Sequence, residues 1–198
     1  MSALRNADHV HRRYSLDDYF DLEERSNIRL EYVAGYIYAM TGASREHIQI
    51  SGNLYGEFYI RLKGTTCSAL NNDMQVGIQD EKGEEAYVYP DLTLACQPED
   101  LRRVNKRDDV LFNPLAVFEV LSSSNEDYDQ KTKLSLYQII PSMTDTVFVR
   151  QDRIEIAHWT RSGEGWSSRT YEAPEANMTV LNCTITLQDI YRGVTFEG

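Results

Sequence analysis

Apolar positions along this chain change period several times, and each change predicts an element. Recurrence every third or fourth residue marks a helix face; alternation, or a short continuous apolar run, marks a strand. Leu16, Tyr19, Phe20 and Leu22 form a helical stripe behind the N-cap residue Ser15, with Asp17 and Asp18 in the first turn. A helix at about 15–25 follows. Ile28 to Met40 reads as two β-rich halves around Ala34-Gly35, a hairpin. Ser44 caps a second helix, about 44–63, with Ile48, Ile50, Leu54, Phe58 and Leu62 on its core side.

Strands are then expected at 66–71 and 73–79, broken at Asn71-Asn72-Asp73, with a loop at 80–85 and a strand at 86–96. Pro90 lacks a ladder donor and so marks an edge, a bulge or a strand start. Residues 97–113 read as a polar loop carrying Arg102, Arg103, Lys106 and Arg107. The run 115–121 is apolar except at Glu119, the pattern of a central or parallel strand. Ser122 to Asn125 supply a turn and cap, and a helix at about 126–139 ends at Pro141. An antiparallel meander (145–151, 153–160, 166–172, with Gly163 and Gly165 in a turn), a strand at 183–187 and a short helix at about 187–192 close the chain. The class is α/β (α+β): a central mixed sheet flanked by helices.

Composition narrows the setting. With 198 residues, 41% hydrophobic and 26% charged, one soluble domain at 15–198 is expected, behind a loose polar arm at 1–14. No apolar run approaches the roughly 18 residues of a membrane span, and the N-terminus lacks a signal-peptide core, so a cytoplasmic location is expected. Cys67, Cys96 and Cys183 show neither zinc-motif spacing nor a disulfide framework, and buried thiols are the expectation. A net charge of −11 argues against a dedicated high-affinity nucleic-acid binder. It leaves room for an enzyme in which a local basic groove and a bound metal offset the global field.

The chemistry gathers between Tyr87 and Tyr137. Asp91 and Glu119 each lie in an apolar run, where a carboxylate costs free energy unless it is paired or binds a cation. If their strands are neighbours, about 4.8 Å apart, the two acids can share one Mg²⁺, with the carbonyl of Val120 as a further oxygen. Asp129, Lys133 and Tyr137 fall on one face of the following helix, and Lys133 can orient a water or neutralise the phosphorus centre. The blander reading is a surface pair of Asp129 with Lys133. Periodicity alone makes Glu31 an outward-facing charge, makes the basic residues at 102–107 either a solvated loop or a phosphate-contacting one, and leaves His47 and Asp73 without an assigned role.

These stretches together resemble the Uma-type restriction-endonuclease-like family of the PD-(D/E)XK nuclease superfamily. They are Leu30-Glu31 with Gly35 and Met40, G-A-S-R-E-H at 42–47, N-D-M-Q-V at 72–76, Y-P-D at 89–91, E-V-L-S at 119–122, D-Q-K-T-K-L-S-L-Y at 129–137, I-P-S at 140–142 and L-Q-D-I-Y at 187–191. The resemblance implies a restriction-endonuclease-like core and a Mg²⁺-dependent DNA endonuclease, with Mn²⁺ a possible substitute. It implies Asp91 and Glu119 as metal acids, Glu31 as a third acid, and a homodimer. The superfamily lysine two residues after the second acid would be position 121, which is Leu121 here; by resemblance Lys133 replaces it, with Lys131 the fallback. Two other classes stay open: a nuclease fold kept as a binding or regulatory protein with little catalysis, and a structural protein with its acids in buried ion pairs.

Overall fold

The computed structural model describes residues 13–40, 42–121, 128–163 and 165–196. Helix α1 (Leu16–Arg25) begins at a capping box: Asp18 N–H donates to Ser15 Oγ, and the Asp18 carboxylate accepts from Ser15 N–H. Strands β1 (Leu30–Val33) and β2 (Tyr36–Ala39) form the expected hairpin. Its turn needs positive φ at Ala34 and Gly35, which glycine adopts freely. Of the expected arm, residues 1–12 lie outside the described residues; Tyr14 N–H donates to the Gly35 carbonyl and ties the chain to this turn. Helix α2 (Arg45–Leu62) starts at Ser44 as expected, but Ile48 is on its outer face, 63% exposed, rather than on its core side.

The strands form two six-stranded sheets among the described residues. The first has the order β2-β1-β5-β4-β8-β7, where β4 is Val76–Gln79, β5 Glu85–Val88, β7 Leu101–Val104 and β8 Arg107–Leu111. The second has the order β12-β11-β10-β9-β6-β3, with β3 Cys67–Asn71, β6 Leu92–Cys96, β9 Ala116–Leu121, β10 Asp145–Arg150, β11 Ile156–Ser162 and β12 Gly165–Tyr171. The expected single strand at 86–96 is therefore two strands in two sheets. Pro90 cannot donate to a ladder, and the chain crosses from one sheet to the other at Tyr89-Pro90-Asp91.

Three further differences have local causes. The expected loop at 97–113 contains the β7–β8 hairpin, whose turn includes Asn105 at φ 53°; its exposed charged residues hid the strand alternation. Strand β13 (Asn177–Val180) pairs with β14 (Cys183–Thr186) ahead of helix α4 (Leu187–Ile190) and was not expected. Cys67 and Cys96 face each other across β3 and β6 and are joined as a disulfide, against the expectation of free thiols. Cys183 is the free, buried one.

Packing gives a layered order. Ile50, Leu54, Phe58 and Leu62 of α2 cover one face of the second sheet, against Leu92, Leu94, Phe118, Val120, Val147 and Val149. A second cluster joins Val117 of that sheet to Val33, Val76, Ile78 and Val88 of the first, with Tyr137, Ile140 and Met143 between. Tyr19 of α1 packs with Leu30, Tyr32 and Tyr87 of the first sheet in a third cluster. No helix among the described residues is long and apolar enough to cross a membrane.

Candidate active site

The acids collect where the two sheets meet. In the second sheet β6 and β9 are antiparallel neighbours, with Leu92 opposite Phe118 and Thr93 opposite Val117. Continuing that register by one residue sets Asp91 against Glu119. Leu92, Leu94 and Phe118 face α2, so alternation turns both acids to the other face, towards the first sheet. From the first sheet, β1 brings Glu31, whose Oε1 accepts from Tyr89 N–H at 2.8 Å. All three carboxylates are buried: Glu31 and Glu119 are each 3% exposed and Asp91 is 7% exposed. The outward-facing reading of Glu31 is thus overturned, because β1 is covered on both faces and all four of its residues are buried.

Lys133 closes the cluster. It ends one π-helical turn (Tyr128–Lys133), which runs directly into helix α3 (Leu134–Ile139). Its Nζ lies 2.9 Å from Glu31 Oε1 and 3.0 Å from Glu119 Oε1, and it is 3% exposed. Lys133 thus sits beside the acids in a buried pairing, not on the surface as in the blander reading. Tyr137, one turn on, donates its hydroxyl to the same Glu119 oxygen and is fully buried. Burial, and then the Glu119 carboxylate beside it, hold the Tyr137 phenol well above its ordinary pKa, so it stays a donor. Lys131 is exposed. The Ser122–Asn125 turn and the side chain of Asp129 lie outside the described residues.

Asp91 has different partners. Its Oδ2 accepts from Val120 N–H at 2.7 Å, and its Oδ1 lies 2.8 Å from His47 Nε2. In an extended strand a residue's N–H and C=O project to the same edge, so the Val120 carbonyl points to the Asp91 side. The next carbonyl, of Leu121, projects the other way and accepts from Gln151 N–H. His47 sits in the first turn of α2, where its N–H caps onto Ser44 Oγ. Sequence reasoning gave His47 and Tyr137 no role; the available signals were a histidine three residues after a cap and a tyrosine one turn from Lys133. Asp73 pairs instead with Arg29 and is mostly exposed.

The donor set suits a hard divalent cation. Carboxylate and carbonyl oxygens are Mg²⁺ ligands. Lys133 is the only buried lysine or arginine among the described residues, and it touches two of the three buried acids. Counted formally, three carboxylates and one ammonium fall short by two charges, that of one divalent ion. Against this, Glu31 Oε1, Glu119 Oε1 and both Asp91 oxygens are already engaged by Lys133, Tyr137, His47 and two backbone N–H groups. Among the described residues no three His, Cys, Asp or Glu side chains are arranged around a common metal position. The basic hairpin is also engaged: Arg102 pairs with Asp100, Arg103 with Asp108, Lys106 with Glu24 and Arg107 with Asp109.

Comparison with known proteins agrees with this architecture. A family model, Uma2, described as "Putative restriction endonuclease", matches residues 16–188. The uncharacterised protein slr1290 of Synechocystis sp. is 32% identical over 186 residues, which are 93% of this chain and 94% of that protein. A second Synechocystis protein, the uncharacterised sll1609, is 24% identical over 147 residues, 74% of this chain and 80% of its own. Among solved structures, one described as a putative nuclease belonging to DUF820, from Anabaena variabilis, superposes with a TM-score of 0.71. That match covers 89% of this chain and 97% of the other at 14% identity, a likeness of fold.

Proposed function

We propose that this chain, which belongs to the Uma2 family of restriction-endonuclease-like proteins, is a Mg²⁺-dependent endonuclease that hydrolyses phosphodiester bonds in DNA. The observation that carries the reading is the burial of three acids where the two sheets meet: Glu31 and Glu119 share one buried lysine, and Asp91 stands opposite Glu119 in the β6–β9 register. Asp91, Glu119 and the Val120 carbonyl would hold the cation, with Glu31 as a further acid. When bound, the ion neutralises phosphate charge and lowers the pKa of a coordinated water. Lys133 then acts as a donor beside the reacting phosphate, to the attacking water or to a phosphoryl oxygen. Tyr137 fixes the Glu119 oxygen that Lys133 also holds, and His47 fixes Asp91. Duplex cleavage at both strands suits a homodimer, in which two such sites address two strands.

A second reading has its own observation. Lys133 is fully engaged between two acids in a buried setting, and Leu121 stands where the superfamily places its lysine. That arrangement suits a nuclease fold retained for binding or regulation. A cleavage assay on single-stranded, duplex and branched DNA with Mg²⁺ or Mn²⁺, using Asp91→Ala as control, separates the two. Metal-dependent products absent from the control support the enzyme; DNA binding with no cleavage of any form supports the second reading.

A further inference from the structure

On the opposite face of the second sheet from the acids lies a polar cavity of about 390 Å³. Its floor is two cross-strand pairs, His158 with Arg169 and Thr160 with Ser167, and its wall is Asn177 and Thr179 of β13. Val147, which stands opposite both His158 and Phe118 in the ladder, packs in the α2 cluster, so His158 faces that side while Glu119 faces the other. The cavity belongs to no part of the site described above.

Its key residue is held with care. His158 is 5% exposed, and its Nε2 lies 2.6 Å from Asp145 Oδ1. Asp145 is itself buried and takes a further hydrogen bond from Thr144 Oγ1 at 2.7 Å. The carboxylate fixes the ring and its Nε2–H, as acidic partners do for functional histidines. The other ring nitrogen, Nδ1, has no protein partner among the described residues, although the ring lines the cavity. Arg169 stacks over Tyr171, 4.7 Å from the ring centroid, and has no carboxylate partner among the described residues. In a chain with a net charge of −11, the described residues lining this cavity include no acid. Arg169, with no carboxylate partner among the described residues, and the hydroxyls around it supply hydrogen-bond donors for an oxyanion, and the buried His158 adds a polar ring edge beside them.

The geometry points to a second binding site in this cavity, for a small phosphate-bearing ligand, with Arg169 as its charged contact, Ser167 and Thr179 as hydroxyl contacts and the His158 ring edge as a further polar contact. The volume exceeds that of a bare phosphate and leaves space for an attached organic group.

The test is an NMR titration of the full ¹⁵N-labelled chain with orthophosphate, a nucleoside 5′-monophosphate and chloride. Saturable shifts of the Ser167, Arg169 and Thr179 amides are expected with the phosphate-bearing ligands and not with chloride. Tighter binding of the monophosphate assigns the site to an organic phosphate; equal binding assigns it to the free anion. Arg169→Gln, at an exposed position, should weaken binding by about tenfold or more without unfolding the chain. His158→Gln should do the same if it folds, and Asp91→Asn should leave binding unchanged. The proposal is overturned if neither phosphate ligand saturates by about 10 mM, if chloride gives the same shifts, or if Arg169→Gln binds as wild type does.

Discussion

Replacing Lys133 by methionine tests the acid cluster most directly. Methionine keeps much of the side-chain volume and removes the charge. A surface pair would be worth about 0.3–0.5 kcal/mol, but Lys133 is 3% exposed and lies 2.9 and 3.0 Å from two buried carboxylates. Its loss strands Glu31 and Glu119 without their shared cation. Removing one partner of a buried pair typically costs about 3–5 kcal/mol. For a chain of this size that lowers the melting temperature by roughly 10 °C, at about 2–4 °C per kcal/mol.

The metal arm of the experiment is more discriminating. In wild type, a divalent ion reaching Glu31 and Glu119 meets an ammonium already there; in Lys133→Met it does not. A ligand at a hundredfold excess over its Kd adds about 2.7 kcal/mol, so Mn²⁺ or Mg²⁺ should restore about half of the loss or more. Thermal melts in EDTA and in each metal measure both quantities, and a cleavage assay on the same samples should show activity reduced by about a hundredfold even with metal present. A variant melting within about 2 °C of wild type in EDTA would refute the claim that Lys133 neutralises these acids. Equal metal-induced rises in both proteins would refute the claim that ammonium and metal compete for them.

Four other outcomes are expected. Asp91→Asn keeps an acceptor for Val120 N–H but loses a charge, so it should fold while losing the metal-induced rise in melting temperature, read by the same melts. His47→Ala should weaken metal binding by about tenfold, because a group that fixes a ligand tunes its affinity; isothermal titration measures it. Lys131→Met should leave both stability and cleavage unchanged, since Lys131 is exposed; a large cleavage loss would transfer the proposed role to Lys131. Stability should fall as pH rises above about 10. Burial raises the phenols of Tyr19, Tyr89, Tyr137 and Tyr191 in the folded state, so above that pH the unfolded chain loses protons that the folded chain retains. Denaturant titrations across that range measure the slope, and Tyr137→Phe should make it shallower.

Much of the fold is legible because local chemistry states it. Ser15 and Ser44 announce two helices by capping, and Ala34-Gly35 announces a hairpin. The apolar run around Glu119 is the central strand it resembles, parallel to β10 and antiparallel to β6. What escaped the sequence depends on distant partners. The disulfide requires knowing that Cys67 and Cys96 share a register. The β7–β8 hairpin is exposed on most of its residues, so no buried stripe marks it. The exposure of Ile48 depends on which face of α2 meets the sheet.

Glu31 and Leu121 show why the site itself was only half readable. Alternation identifies an outward residue when one face of a strand is wet; β1 is covered on both faces, so the rule misplaces Glu31. The better signal is thermodynamic: an acid among apolar neighbours needs a partner, and that requirement holds wherever the strand lies. Leu121 is the converse case, an apolar residue on a face that carries buried acids. It lies two residues beyond Glu119 on the same buried strand and, by alternation, on the same face. A lysine there would deliver an ammonium to the acids directly, but the apolar Leu121 does not. The face still carries buried negative charge, so the cation has to come from another element crossing it. The segment after β9 is the first to do so, and Lys133 reaches Glu119 from its last π-helical position while Tyr137 reaches it from the next turn. The buried Lys133 thus answers a charge balance at a seam between two sheets, and any family member with an apolar residue at this position should carry a compensating cation on the following helix.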